Sequence, residues 1–293
     1  MDERIEIKNL NVGYGRKQVL FNVSLSIEKG MFGLLGRNGA GKSTLMKALV
    51  GLIPIQSGKL NVCGLSNNDK KQIRSIIGYL PQEFNIYLNM KVDEALEYLG
   101  TLSEIDAKTL KSRTEEVLEL VNLEKDRKLK IKALSGGMKR RLGIAQAILH
   151  NPKVLIVDEP TAGLDPEERI RFRNLLANLA EDKIVILSTH IVGDIESTCN
   201  NLAVLNGGRI IFNGTTDEII ESAKGYTYKV KVPKTRIHDF KNRYVITSQQ
   251  DFGAYVETKI LYKGKPESEF KRVDPTIEDG YLNLLYDIGG TKQ

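Results

Sequence analysis

Three unbroken apolar runs in this chain each end on polar residues, and that pattern predicts the core of the fold. MFGLL, from Met31, leads into GRNGAGKST; VLIV, from Val154, leads into Asp158 and Glu159; IVIL, from Ile184, leads into Ser188, Thr189 and His190. Continuous apolar runs of this length predict strands buried on both faces of a parallel sheet. Such sheets bind ligands just beyond the carboxyl ends of their strands. The three polar clusters are therefore expected along one edge of one sheet, around one phosphate chain.

Other periodicities organise the rest. Alternation over residues 4–30, with Val23, Leu25 and Ile27 on one face, predicts short half-buried strands. After the glycine-rich segment a helix is expected to about Leu52, with Leu45, Met46, Leu49 and Val50 on one face. RSIIGYLPQ reads as a further strand ending at Pro81 and Gln82. From about Val92 to His150 the pattern is helical, with Leu110, Val117, Leu118 and Val121 at helical spacings, so this block interrupts the sheet as an inserted lobe. Asn206-Gly207-Gly208-Arg209 predicts a tight hairpin, and a short helix near Thr215 closes the main domain. YTYKVKV, from Tyr226, alternates strictly, and AYVETKILY does so in large part, as half-buried antiparallel strands do. The expected class is α/β: a mostly parallel sheet core with an antiparallel β subdomain, an inserted helical lobe over about 84–150, and a small C-terminal α+β domain. The main domain is expected over 1–223 and the accessory domain over 224–293.

Composition adds limits. At 293 residues and 41% hydrophobic content there is room for one large α/β domain plus a smaller one. The opening MDERIEIKNL has no apolar secretory core, and no apolar run is long enough to span a bilayer, so neither a leader nor a spanning segment is expected. Cys63 and Cys199 fit a reducing compartment as buried structural thiols, and three histidines far apart in sequence argue against zinc. The net charge is +6, and from Lys224 onward 13 Lys and Arg face 9 Asp and Glu, alongside 10 of the 19 aromatic residues. That shift is what sets the expected domain boundary. Basic residues among aromatics suit nucleic acid, but strict alternation puts these lysines on the solvated face of strands.

The first polar cluster fits G-x-x-x-x-G-K-[ST], the P-loop pattern, and its segment Gly36, Arg37, Asn38, Gly39, Ala40, Gly41, Lys42, Ser43 and Thr44 is the candidate phosphate cradle. Its glycines let successive backbone N–H groups turn inward onto phosphate oxygens. The following helix aims its positive end at the same anion. Lys42 can reach the β- and γ-phosphates of ATP, and the Ser43 hydroxyl can ligate Mg²⁺.

Within the helical block stands Leu134-Ser135-Gly136-Gly137-Met138, and Asp158-Glu159 begins 20 residues after Met138. P-loop, Gln82, LSGG, a strand ending in Asp-Glu, and a late histidine, in this order, resemble the ATP-binding subunits of ABC transporters. The resemblance covers roughly residues 4 to 220 and implies a P-loop NTPase of ABC type. It implies that Tyr14 stacks on adenine, although a core tyrosine is a rival reading. It implies that Gln82 contacts Mg²⁺ and the attacking water, that Asp158 holds the Mg²⁺ shell, that Glu159 activates or orients water, and that His190 hydrogen-bonds the γ-phosphate. Ser135 with the Gly136 and Gly137 amides, and Asp165, are implied to act across a dimer on nucleotide held by a second ATP-binding cassette, in a homodimer or a heterodimer. Met138 stands where the family usually has glutamine, so altered rate or partner preference is expected.

Asp274-Pro275-Thr276-Ile277-Glu278-Asp279 opens an apolar helix with a cap-like Thr and an acid three residues on. This tail resembles those of bacterial export-type ATPases, including drug and bacitracin-type exporters, which usually show Val-Phe where this chain has Gly280-Tyr281. The implied partner is an integral membrane permease subunit, reached from the cytoplasmic face of the membrane. The alternative is a soluble ABC-type ATPase acting on nucleic acid or ribosomes, which the basic stretch KDRKLKIK from Lys125 keeps open. Such proteins usually carry two cassettes or long coiled-coil insertions, and this sequence has neither, so nucleic acid is not the expected partner. A scaffold without turnover is disfavoured by the presence of both Glu159 and His190.

Overall fold

The computed structural model describes residues 3–84 and 87–286 and comprises two compact units, Met1–Ile210 and Ile211–Gln293. The first opens with β1 (Ile5–Tyr14) and β2 (Lys17–Ile27), then β3 (Gly30–Leu35), the P-loop and α1 (Lys42–Leu49). β4 (Ile55–Val62), β5 (Leu65–Ser66), α2 (Lys70–Ile76) and β6 (Ile77–Leu80) follow. The lobe is α3 (Val92–Leu102), α4 (Ala107–Leu120) and α5 (Gly136–Ile148). Strands and helices then alternate through β7 (Val154–Asp158), α6 (Pro166–Ala180), β8 (Ile184–Thr189), α7 (Val192–Thr198) and β9 (Asn201–Asn206), and β10 (Arg209–Thr215) follows, running from the first unit into the second.

One sheet runs β2-β1-β4-β5 with antiparallel pairs; the other runs β10-β9-β3-β8-β7-β6. In the second, β3 is parallel to β8 and β9, and β7 to β6 and β8. Every residue of β7 and β8 is buried, which accounts for their unbroken apolar runs. Leu35 stands opposite Thr189, and Asp158 opposite Ser188, so the three expected strand ends do share one edge. Helix α1 lies in the core: Leu45, Met46 and Leu49 pack in one cluster with Ile5 and Ile7 of β1 and Val154 and Ile156 of β7.

Three expectations shift. Residues 4–30 form two long strands, because register shifts between Ile7 and Val12 absorb the breaks in alternation. The strand expected over RSIIGYLPQ is only Ile77–Leu80: Arg74 to Ile76 close α2, whose Ile73 is in the core, and Pro81 cannot extend a ladder. Cys199 is buried, and burial pushes its thiol up to about 12, whereas Cys63 is only half-buried, at a left-handed φ of 50° after β4. In the basic stretch, Lys128 and Arg127 turn to the buried Asp93 at 2.6 and 3.6 Å, so part of that charge is spent within the lobe.

The second unit holds α8 (Thr216–Glu221), β11 (Thr227–Pro233), α9 (Ile237–Arg243), β12 (Val245–Asp251), β13 (Tyr255–Leu261), β14 (Lys271–Arg272) and α10 (Ile277–Tyr286). Its sheet runs β12-β13-β11-β14. Alternation resolves as expected: Tyr228, Val230 and Val232 are buried while Lys229 and Lys231 are exposed. Tyr244 and Phe270 pack rim to face with centroids 5.5 Å apart over that buried side. Contacts divide the chain before α8, whereas composition divides it after, because α8 packs against α10 of the tail. The Asp279 carboxylate accepts from the Thr276 N–H and hydroxyl at 2.7 and 2.9 Å and pairs with Lys259. Burial alone would raise its pKa; the bonds from Lys259, Thr247 and Thr276 outweigh it and hold the carboxyl below its ordinary value.

Gly280, the departure from the family's Val-Phe, has a packing reason. A Cβ there would stand 2.0 Å from the Ile219 carbonyl oxygen of α8. Gly280→Val is therefore expected to overpack the α8–α10 contact and cost about 1–3 kcal/mol, read as a lowered urea midpoint; an unchanged midpoint would show that the two helices need not lie so close.

Candidate active site

The P-loop is shaped by backbone that side chains could not follow. Gly36 donates its N–H to the Thr189 carbonyl at 3.3 Å, and a Cβ on it would lie 2.4 Å from the Leu205 carbonyl oxygen. Gly41, at φ 109°, is the last residue before α1. That helix has no side-chain cap and no acid in its first turn, so no side chain of its own offsets its N-terminal N–H groups and dipole, the arrangement that suits an anion. Arg37, Asn38 and Gly39 are exposed at the loop's crest, Ala40 and Thr44 are buried, and Ser43 is half-buried.

Lys42 is 6% exposed and Glu159 4%. The Lys42 ammonium donates to the Gly36 carbonyl at 2.8 Å and lies 3.4 Å from that of Arg37. It also stands 3.0 Å from Glu159 Oε1, as an ion pair without hydrogen-bond alignment. His190 Nδ1 is 2.7 Å from Glu159 Oε2; since a carboxylate only accepts, Nδ1 carries the proton. Glu159 sits at φ 50°, a left-handed conformation that costs an ordinary residue roughly 1–3 kcal/mol. The bend is held by its N–H donating to the Ser188 carbonyl at 2.8 Å and by the two side-chain partners. Lys42, Glu159 and His190 thus form one linked group from the start of α1 and the ends of β7 and β8, in which Lys42 and Glu159 are buried and His190 is exposed.

Beside them, Asp158 is buried and its Oδ1 accepts from Ser188 Oγ at 2.8 Å. Gln82 is exposed, one residue past Pro81, whose carbonyl accepts from Arg140 at 3.4 Å. The Ser43 hydroxyl, Gln82 amide oxygen and Asp158 carboxylate are hard oxygen donors, too few to cage a cation unaided. Such a set fits a Mg²⁺ ion that brings water and phosphate ligands with it. Tyr14, at the end of β1, is 48% exposed, so it is no core tyrosine and its ring is open to stacking.

The other motif residues gather elsewhere, at the first turns of α5 and α6. Ser135 caps α5, its Oγ accepting from the Met138 N–H at 3.2 Å and keeping its own proton to donate. The cap uses the backbone of Met138, so the missing glutamine side chain leaves it intact. Asp165 caps α6 through the Glu168 N–H at 2.9 Å, with Pro166 following. Gly137 lies against the Glu168 carboxylate, and Gly136 is open to solvent. Thr161 and Asp194, joined at 2.5 Å, were not singled out by sequence reading. No motif marks them; only their places two residues after Glu159 and four after His190 are suggestive.

A model of the ABC transporter family matches residues 20–162. The chain is 32% identical over 298 residues to the uncharacterized ABC transporter ATP-binding protein YxlF of Bacillus subtilis, covering 96% of this chain and 99% of that protein. It is 36% identical to the linearmycin resistance ATP-binding protein LnrL of Bacillus subtilis, over 76% of this chain and 73% of LnrL. It is 32% identical to the Nod factor export ATP-binding protein I of Burkholderia orbicola, over 96% of each. Among solved structures, cbiO1 from Clostridium perfringens, part of the ABC transporter complex cbiONQ, superposes with a TM-score of 0.69 at 27% identity, covering 75% of this chain and 92% of that one. Among the described residues, no helix is long and apolar enough to cross a membrane.

Removing one member of a buried ion pair strands the other. Lys42→Met is expected to cost the nucleotide-free chain about 3–5 kcal/mol, and Glu159→Gln added to it to recover part of that loss. Urea denaturation of both singles and the double closes the cycle; purely additive losses would mean that the two groups are uncoupled.

Proposed function

The chain belongs to the ABC transporter family of ATP-binding subunits, and on that premise we propose how its residues divide the work. A subunit of this family binds and hydrolyses ATP to drive transport through a membrane permease partner. The observation that carries the assignment is the buried Lys42–Glu159 pair joined to the exposed His190, with the strained Glu159 at its centre.

In this reading the triphosphate lies along Gly36 to Thr44, taking the loop amides and the start of α1, with adenine on the exposed ring of Tyr14. Lys42 exchanges Glu159 and the loop carbonyls for β- and γ-phosphate oxygens. Glu159, released from its cation, takes a proton from the attacking water as the water oxygen bonds to the γ-phosphorus and the bond to the ADP oxygen breaks. His190, no longer tied through Nδ1, turns its N–H to a γ-phosphate oxygen. Ser43, Gln82 and Asp158 would hold Mg²⁺, which neutralises phosphate charge when bound.

Ser135, Gly136, Gly137 and Asp165 sit at the starts of two other helices and serve the nucleotide of a second cassette. Because this chain carries both groups intact, two identical copies suffice for two complete sites, and a homodimer is the simplest assembly. Residues 1–223 act as the cassette and 224–293 as an accessory domain. The relatives named for Nod factor export and linearmycin resistance support export as the direction, with the subunit on the cytoplasmic face of the membrane.

Glu159→Gln keeps the shape and the hydrogen bonds but not the base. It is expected to retain ATP binding by titration calorimetry and to lose at least about 10²-fold in turnover; normal turnover would remove Glu159 from this role.

A further inference from the structure

Asp194 is fully buried on α7, four residues after His190, and its partners come from two other segments. Thr161 Oγ1, just past Glu159, donates to its Oδ2 at 2.5 Å. From α6, Arg169 Nε stands 3.8 Å and Arg173 4.0 Å from its Oδ1. Arg173 is otherwise employed, donating to the Gly193 carbonyl at 3.3 Å and to Ser197 Oγ at 2.7 Å. The Arg169 contact is the unfinished one. Its Nε and Asp194 Oδ1 are both buried, and among the described residues neither has a hydrogen-bond partner.

The same holds one residue earlier on α6. Arg141 Nε of α5 stands 3.6 Å from Glu168 Oε2 and is likewise buried without a hydrogen bond. Buried polar atoms in settled structure are nearly always bonded, and these two pairs stop roughly 0.5 Å beyond bonding distance. The first turn of α6, which Asp165 caps, is therefore slack against α5 on one side and α7 on the other. A sub-ångström shift of that turn would complete the pairs, and packed interfaces convert such shifts into discrete states.

We propose that Asp194 is a positioning residue for ATP hydrolysis: through Thr161 and α7 it ties the segments bearing Glu159 and His190 to the α6 turn bearing Asp165. Its pair with Arg169 closes when Asp165 engages the second cassette. Docking of the partner is thereby read out at the base and the histidine, although Asp194 touches no reacting atom. The proposal rests on the roles given above to Glu159, His190 and Asp165.

Asp194→Asn keeps an oxygen for Thr161 and removes the charge facing Arg169. In the full-length chain it is expected to lower kcat for ATP at least about tenfold, with KM for ATP unchanged. Arg169→Gln, altering a side chain that is 32% exposed, is expected to do the same, and it decides the matter if Asp194→Asn does not fold. The double variant should fall no further than either single. Singles with wild-type kcat, losses that multiply in the double, or a loss carried by KM would each overturn the proposal. Glu159→Gln in the same assay separates the two levels: if it is inactive while the Asp194 and Arg169 variants run normally, only the tie fails; if it turns over normally, the reading beneath fails with it.

Discussion

A cation buried where phosphate is to arrive is the constraint on which the rest of this molecule depends. The Lys42 ammonium cannot be left bare in the interior, so it is met by two loop carbonyls and by Glu159. Satisfying it requires β3 and β7 to end at one edge of the sheet with β8 between them, and the parallel register of β3, β8 and β7 delivers that. It also requires Glu159 to leave its strand in a left-handed bend, which the Ser188 carbonyl and His190 secure. In the proposed reading the resting chain thus keeps its phosphate-binding cation against its own base. On that proposal an incoming triphosphate offers the cation a better partner and frees the base by the same exchange.

The second half of the chemistry stands apart from the first. Ser135 and Asp165 cap neighbouring helices in a region where Glu168 touches both α5 and α6. Capping holds each side chain in one geometry while Ser135 still has a proton to give. In the proposed reading, with the catalytic group built from α1, β7 and β8, a single chain holds two complementary halves, and Thr161, Asp194 and Arg169 form the path between them.

What was legible in the sequence is what local pattern encodes. The P-loop and the buried strands with their polar ends follow from runs, spacings and residue types within short windows. Tyr14's exposure, the slack Arg169–Asp194 pair and the Glu168 contacts depend on which elements become neighbours, and no window contains that. The overlong strand expected at RSIIGYLPQ failed for a related reason: Ile76 and Ile77 are both apolar, and only tertiary packing decides that α2 takes the first and β6 the second. Gly280 could be seen as a departure but not explained until Ile219 was found beneath it.

The central claim is that the two halves meet between chains. Asn38 is exposed at the crest of the P-loop and Gly136 has open space about it, so cysteines at these positions, on separate chains lacking Cys63 and Cys199, can report the meeting. In a Glu159→Gln background with saturating ATP and a short bifunctional thiol reagent, covalent dimers should form, and should be absent without nucleotide. Chains that bind ATP by titration yet stay monomeric under these conditions would contradict the account.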